Sequence, residues 1–166
     1  MTQVLYLMRH GETLFNVQKK IQGWSDSPLT ELGIAQAKAA RCYFEENHIT
    51  FTHAYSSSLE RTCDTLELVS DLPYVRLKGL KEWHFGIYEG APEYMYPFGE
   101  DEMFFANYGG ESKQEMRERI LQTIQSIMKQ EDHTCVLALS HGMVCKQLVE
   151  LYAQSDDMRN TAITNC

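Results

Sequence analysis

The sequence predicts an α/β fold with three layers, α/β/α, on a mainly parallel central sheet. Three observations predict it. Short apolar segments rich in β-formers alternate with amphipathic helical segments. Two of those apolar segments, residues 4–8 and 134–139, read as strands buried on both faces. Each of these two runs directly into a His-Gly turn, and in open parallel sheets ligands sit beyond the carboxyl ends of the strands.

The first strand, residues 4–8, ends at Arg9-His10-Gly11, and a loop is expected after it. Thr30 follows Ser27-Pro28-Leu29 as a helix N-cap, with Glu31 in the first turn and Leu32, Ala35, Ala39 and Tyr43 as the inner stripe. This helix runs to about Asn47. Residues 52–56 form a weaker strand, and Ser57 or Ser58 caps the helix that carries Arg61 through Leu68. A short strand at 75–77 leads into residues 78–111, where Gly, Pro, Tyr and Phe without clean periodicity predict a long excursion with short helical turns. The aromatic stretch 94–108 reads as core or lid packing. Ser112 and Glu115 form a capping box ahead of Met116, Ile120, Ile124, Ile127 and Met128 at helical spacing. After the strand at 134–139, a last helix turns Val144, Leu148 and Leu151 inward.

Length and composition bound the function. Residues 1–166 are expected to form one domain, since the length and the ordinary share of apolar residues suit a single core. The apolar run at 4–8 is far too short to span a membrane and no leader precedes it, so no membrane partner and a cytoplasmic location are expected. Cys42, Cys63, Cys135, Cys145 and Cys166 are scattered and odd in number, against a disulfide scaffold or a zinc site; no metal and no cofactor are expected. The net charge of −8 without a basic stripe argues against nucleic acid. An anionic substrate would have to be drawn by a local cluster of arginines and backbone N–H groups. No heptad or exposed stripe announces an oligomer, and a homodimer is left open.

A polar cluster follows each strand: Arg9 to Thr13, Ser57 to Arg61, Lys81-Glu82, and Ser140-His141-Gly142. Singly these are weak signals; together on one rim they supply a nucleophile, two guanidinium forks for phosphate oxygens and a proton donor. Leu7-Met8-Arg9-His10-Gly11-Glu12-Thr13, with Asn16 and Gln22-Gly23, resembles the signature of the histidine phosphatase (phosphoglycerate mutase-like) superfamily. Ser57 to Thr62, Leu80-Lys81-Glu82 with Phe85-Gly86 and Glu89-Gly90, Gly109 to Ser112, and Ser140-His141-Gly142 resemble its later blocks in order, over nearly the whole chain.

That resemblance implies a phosphoglycerate mutase-like fold and a phosphomonoester hydrolase working through phosphohistidine on a small phosphorylated substrate. His10 is the implied nucleophile; Arg9, Arg61 and His141 hold the equatorial oxygens; Glu82 is the acid and base. Glu12, Glu89 and Glu93 stay as alternatives for the acid. Asn16, with Gln22, Gly23, Gly11, Thr13 and Gly142, is implied in substrate binding. His48, His53 and His133 read as surface or structural, and His84 as a loop residue within reach of substrate. A phosphoglycerate mutase-like phosphotransferase and a weakly active phosphate-binding module remain as other readings. The acidic residues Glu89, Glu93, Glu100, Asp101, Glu102 and Glu111 favour the hydrolase, as poor company for a second phosphate. By the same resemblance Asn165-Cys166 begins a final strand, so the sheet is expected to lack an edge strand.

Overall fold

The computed structural model describes residues 2–96 and 102–153; the anticipated loss of an edge strand at Asn165-Cys166 lies outside them, as do Glu100 and Asp101. The strands are β1 (Val4–Arg9), β2 (His53–Ser57), β3 (Tyr74–Leu77) and β4 (Cys135–Ser140). The helices are α1 (Leu14–Val17), α2 (Glu31–Glu46), α3 (Glu60–Val69), α4 (Lys113–Met128) and α5 (Gly142–Ala153). Among the described residues between β3 and α4 lie four short 3-10 turns, as expected of the excursion. The four strands form one parallel sheet in the order β1-β4-β2-β3. Because β4 sits between β1 and β2, chain direction across the sheet reverses there, and the crevice of a doubly wound fold opens at that point.

Period-two alternation along β4 builds a core on each face. Val136 and Ala138 pack with Met116, Ile120 and Ile124 of α4, Val144 and Leu148 of α5, and Phe85 and Phe105 of the excursion. Leu137 and Leu139 pack on the other face with Ala37 and Phe44 of α2 and Leu66 and Val69 of α3. β1 follows the same alternation but borders the described sheet, so only Met8 is buried in it, in contrast to the doubly buried strand expected. Among the described residues no helix is long and apolar enough to cross a membrane.

Three local expectations need correction. Residues 14–17, read as loop, form a helical turn whose capping box joins Thr13 and Asn16. The N-cap of α3 is Leu59, which has no side-chain cap of its own; Ser57 Oγ accepts from the Leu59 N–H at 3.4 Å and Asp26 from the Glu60 N–H at 2.5 Å. In α2 the stripe Leu32, Ala35, Ala39 and Tyr43 faces outward, and Gly33, Ala37 and Phe44 are buried. The reason is a close approach: a Cβ on Gly33 would lie 2.1 Å from the carbonyl oxygen of Glu12, and one on Gly11 would lie 2.5 Å from that of Gly33. The turn after β1 and the first turn of α2 therefore touch through two glycines, and that contact sets which face of α2 meets the core.

Gly33→Ala is expected to destabilise the protein by about 1–3 kcal/mol through overpacking, despite a helix-propensity gain of about 1 kcal/mol. Leu32→Ala should stay within about 0.5 kcal/mol. Urea unfolding of both variants checks this; a larger loss for Leu32→Ala would mean that α2 buries the other face.

Candidate active site

β1 and β4 run side by side and end together, Arg9 opposite Ser140, and the His10 N–H continues the ladder by donating to the Ser140 carbonyl at 3.1 Å. That register brings His10 and His141 to one rim, with ring centroids 5.4 Å apart. β2 delivers Ser57 to the same rim, α3 delivers Arg61, and the chain after β3 delivers Glu82.

His10 is buried, and its Nδ1 lies 2.8 Å from the Gly11 carbonyl, an acceptor only. Nδ1 therefore carries the proton and Nε2 keeps the lone pair. Burial, helped by the charges of Arg61 and Arg9, holds this imidazole well below its ordinary value of 6.5. The ring is neutral, with the Nε2 lone pair unengaged.

Arg61 is buried and almost fully engaged. Nη1 donates to the Ser25 carbonyl at 2.9 Å and to Asp26 at 3.1 Å; Nη2 donates to the Gly23 carbonyl at 2.8 Å and to His141 Nδ1 at 2.9 Å. Its Nε is buried with no partner among the described residues, a donor left for an anion. Since Arg61 only donates, His141 Nδ1 accepts, and His141 Nε2–H donates to Ser57 Oγ at 2.8 Å. His141 is thus neutral too, and burial with the Arg61 charge depresses it well below 6.5. Contact between His141 and a phosphate oxygen would require one of these partners to be exchanged.

Arg9, at the end of β1, is exposed and its guanidinium makes no hydrogen bond or ion pair among the described residues. It lies over Gly142, where an added Cβ would be 3.5 Å from Arg9 Nε. Glu82 is buried and accepts from the N–H groups of Trp83 at 2.9 Å and Met143 at 3.1 Å, the latter in the first turn of α5. These bonds favour the carboxylate, but burial outweighs them and pushes Glu82 above its ordinary 4.5. Arg119 fixes this segment by donating to the carbonyls of Gly79, Lys81 and Glu82 while forming a bidentate pair with Glu111 at 2.7 Å.

The remaining expected residues divide. Asn16 Oδ1 accepts from the Thr13 N–H, and its Nδ2 has no partner among the described residues. Thr13 and Gln22 are committed to the loop: Thr13 Oγ1 and Gln22 Oε1 are 2.7 Å apart, and Gln22 Nε2 donates to Ser27 Oγ. Gly11 donates to Thr65 Oγ1, while Gly23 has no room for a side chain beside Trp83 and Glu89. Of the alternative acids, Glu89 receives the N–H groups of Trp24 and Ser25, and Glu12 receives Thr30 Oγ1. The sequence reading did not single out Trp24, Asp26, Thr65 or Arg119. Trp24 donates to the Glu82 carbonyl, stacks on His84 at 4.5 Å and receives Lys81 Nζ over its ring at 4.1 Å. No motif or periodicity marks these residues.

The family model of the histidine phosphatase superfamily (branch 1) matches residues 5–166. The chain is 35% identical to a probable phosphoglycerate mutase, GpmB, of Yersinia pestis, over 98% of this chain and 81% of that one. Among solved structures it is similar to YhfR of Bacillus stearothermophilus, with a TM-score of 0.82 and 31% identity over 96% of this chain and 85% of that one. It is also similar to the alpha-ribazole phosphatase of Shigella flexneri, with a TM-score of 0.76 and 30% identity over 89% and 78%.

The depressed imidazoles fix a pH dependence of stability. Below about 6.5 the unfolded chain binds protons that His10 and His141 refuse, so the stability they permit is complete above that value and lost as pH falls. Glu82 works in the opposite sense: its raised value favours the folded state below 4.5 and costs stability as pH rises through the folded value. Urea unfolding between pH 5 and 8 is expected to give a slope for His141→Gln reduced by about one proton below 6.5. Glu82→Gln should gain stability relative to the parent as pH rises. An unchanged slope in His141→Gln would mean that His141 is charged in the folded protein.

Proposed function

Because the chain belongs to the histidine phosphatase superfamily, we propose that it is a phosphomonoester hydrolase that acts through phosphohistidine on a small phosphorylated metabolite, without a metal. One observation carries this reading: the neutral imidazole of His10, whose Nε2 lone pair is unengaged, shares its rim with one set of uncommitted donors and one buried, protonatable carboxyl. Arg9, Arg61 Nε and Asn16 Nδ2 suffice for the three oxygens of one phosphoryl group. Two further basic side chains at this site have partners already, Lys81 on the Trp24 ring and His84 with Glu89 at 3.5 Å. A second phosphate therefore finds no ready fork.

His10 Nε2 attacks phosphorus in line with the ester oxygen, and the N–P bond forms as the P–O bond breaks. Its Nδ1–H bond to the Gly11 carbonyl stabilises the positive charge that develops on the ring. Glu82, protonated, gives its proton to the leaving alkoxide. As carboxylate it then takes a proton from the water that attacks phosphohistidine, which returns both His10 and Glu82 to their starting states and frees phosphate. The positive end of α5, through the Met143 N–H, tempers Glu82 so that it can hold charge in the second half.

The relative named as a mutase keeps a second reading open, and part of the acidity argument against it falls away. Glu89 is turned onto Trp24 and Ser25, and Glu111 is neutralised by Arg119, so neither repels a ligand as assumed from sequence. The named phosphatase of Shigella flexneri and the single donor set favour hydrolysis. The unpaired Cys42, Cys63, Cys135 and Cys145 fit a reducing, cytoplasmic setting.

Hydrolysis of an aryl phosphate with chelator present is the test. Turnover should survive chelation, fall at least about 10³-fold in His10→Ala, and fall about 10²- to 10⁴-fold in Glu82→Gln. Acid-labile phosphate should be trapped on the parent and on Glu82→Gln, in which the water step is slowed, and not on His10→Ala. Interconversion of 2- and 3-phosphoglycerate faster than phosphate release would establish the mutase instead. A folded protein that neither turns over nor labels would leave a phosphate-binding module.

A further inference from the structure

The rim opposite the candidate active site, where β2 and β4 begin, holds a second cluster of chemically competent side chains. His53 opens β2, and Asp132 and His133 lie in the turn that enters β4. One ligand atom from each of the three can be chosen so that all lie within 4.8 Å of one another. The two imidazoles stack face to face, 3.8 Å between centroids and 7° between planes. The Asp132 carboxylate reaches both, at 2.8 Å from His133 Nδ1 and 3.5 Å from His53 Nε2.

The outer atoms are arranged as a metal site needs. His133 is buried and its far nitrogen, Nε2, lies 2.7 Å from the Tyr55 hydroxyl; the far nitrogen of His53, Nδ1, lies 3.1 Å from Thr52 Oγ1. The buried His133 ring thus keeps an oxygen partner to take its Nε2–H once the inner nitrogen gives its lone pair to an ion, as ligating histidines usually do, while His53 has such a partner in its stacked position. Access is open: a groove of about 570 Å³ between β2, β3 and α4 is lined by Tyr55, Asp132 and His133 together with Gln122, Ser126 and Gln130. The acidic net charge of −8 favours cations over anions at an unspecialised surface.

We propose that His53, Asp132 and His133 form a binding site for a divalent transition metal ion of the zinc, nickel or copper class. Two imidazoles and a carboxylate are the ligand set such ions prefer over magnesium or calcium, and three protein ligands leave a position for water. Ligand atoms about 2.1 Å from one tetrahedral zinc are about 3.4 Å apart, so closing from at most 4.8 Å takes side-chain movement only. His53, a third exposed, turns out of the stack to bring Nε2 to the ion, while buried His133 keeps its place. The bound ion ties the start of β2 to the start of β4 and stabilises the fold; it takes no part in the chemistry at His10. This reassigns His53 and His133, which sequence gave no reason to separate from ordinary surface histidines. It is independent of the phosphatase reading.

Zinc chloride, and cobalt chloride as a spectroscopic stand-in, are titrated into untagged, chelator-stripped protein by calorimetry and visible absorption. The expected result is one ion per chain, a higher unfolding temperature with zinc, and cobalt d–d bands. His53→Ala and Asp132→Ala, both at accessible positions, should weaken binding at least about tenfold, and Tyr55→Phe about tenfold through the lost outer bond. His10→Ala and Cys42→Ser should bind as the parent does. Absence of one-to-one binding, or binding that survives His53→Ala and Asp132→Ala, or that is lost in His10→Ala or Cys42→Ser, overturns the site.

Discussion

A guanidinium buried beside two histidines is the constraint from which the active rim follows. Arg61 cannot shed its proton, so its burial demands acceptors, and it finds them in the carbonyls of Gly23 and Ser25, in Asp26 and in His141 Nδ1. Each partner is fixed in turn. The Gly23 to Asp26 segment has no regular secondary structure, yet it is held to α3 by this side chain and by Asp26, which also accepts from the Glu60 N–H at 2.5 Å. His141 must be neutral to accept, and burial together with the same charge keeps His10 neutral. Removing a partner would strand a buried charge, which is why such an arrangement is costly to break even though an exposed ion pair contributes little.

In the hydrolysis we propose, Glu82 has to satisfy the opposite requirement, holding a proton in one half of the reaction and a charge in the other. Neither extreme environment would serve. A solvated carboxyl would be ionised before the leaving group needs it, and one buried without donors would hold its proton too tightly to give it up. Burial with two backbone N–H groups, one from the first turn of α5, lies between these limits. Its neighbours supply the rigidity. Arg119, held by Glu111, donates to the carbonyls of Gly79, Lys81 and Glu82, and Trp24 donates to the Glu82 carbonyl, so the carboxyl keeps its position although its segment is not a strand.

What could be read from sequence was what local pattern encodes. The strands of the parallel sheet, the capping box at Ser112 and Glu115, and the four polar clusters at strand ends were all legible, because each depends on residues adjacent in the chain. Long-range partners were not. Asp26, Thr65 and Arg119 look like ordinary polar residues until folding places them against Arg61, Gly11 and Glu82. Glu89 and Glu111 were misread for the same reason: formal charge is legible in sequence, but the partner that absorbs it is not. His53 and His133, 80 residues apart, meet only because β2 and β4 are neighbours.

The α2 helix shows how function at the rim can override amphipathic pattern elsewhere. Apolar spacing favoured burial of Leu32, Ala35, Ala39 and Tyr43, and hydrophobicity alone would have turned that face inward. The chain instead has to bring the Gly11-Glu12 backbone against α2, since the Gly11 carbonyl is the acceptor that sets the tautomer of His10. Only a glycine tolerates that approach, so Gly33 must face the turn, and a helix is rigid enough that one contact fixes its rotation. Ala37 and Phe44 follow Gly33 into the core at positions four and eleven residues on, and the stronger apolar stripe is left outside. The rotation of a sixteen-residue helix thus follows from one glycine contact with the turn that carries His10.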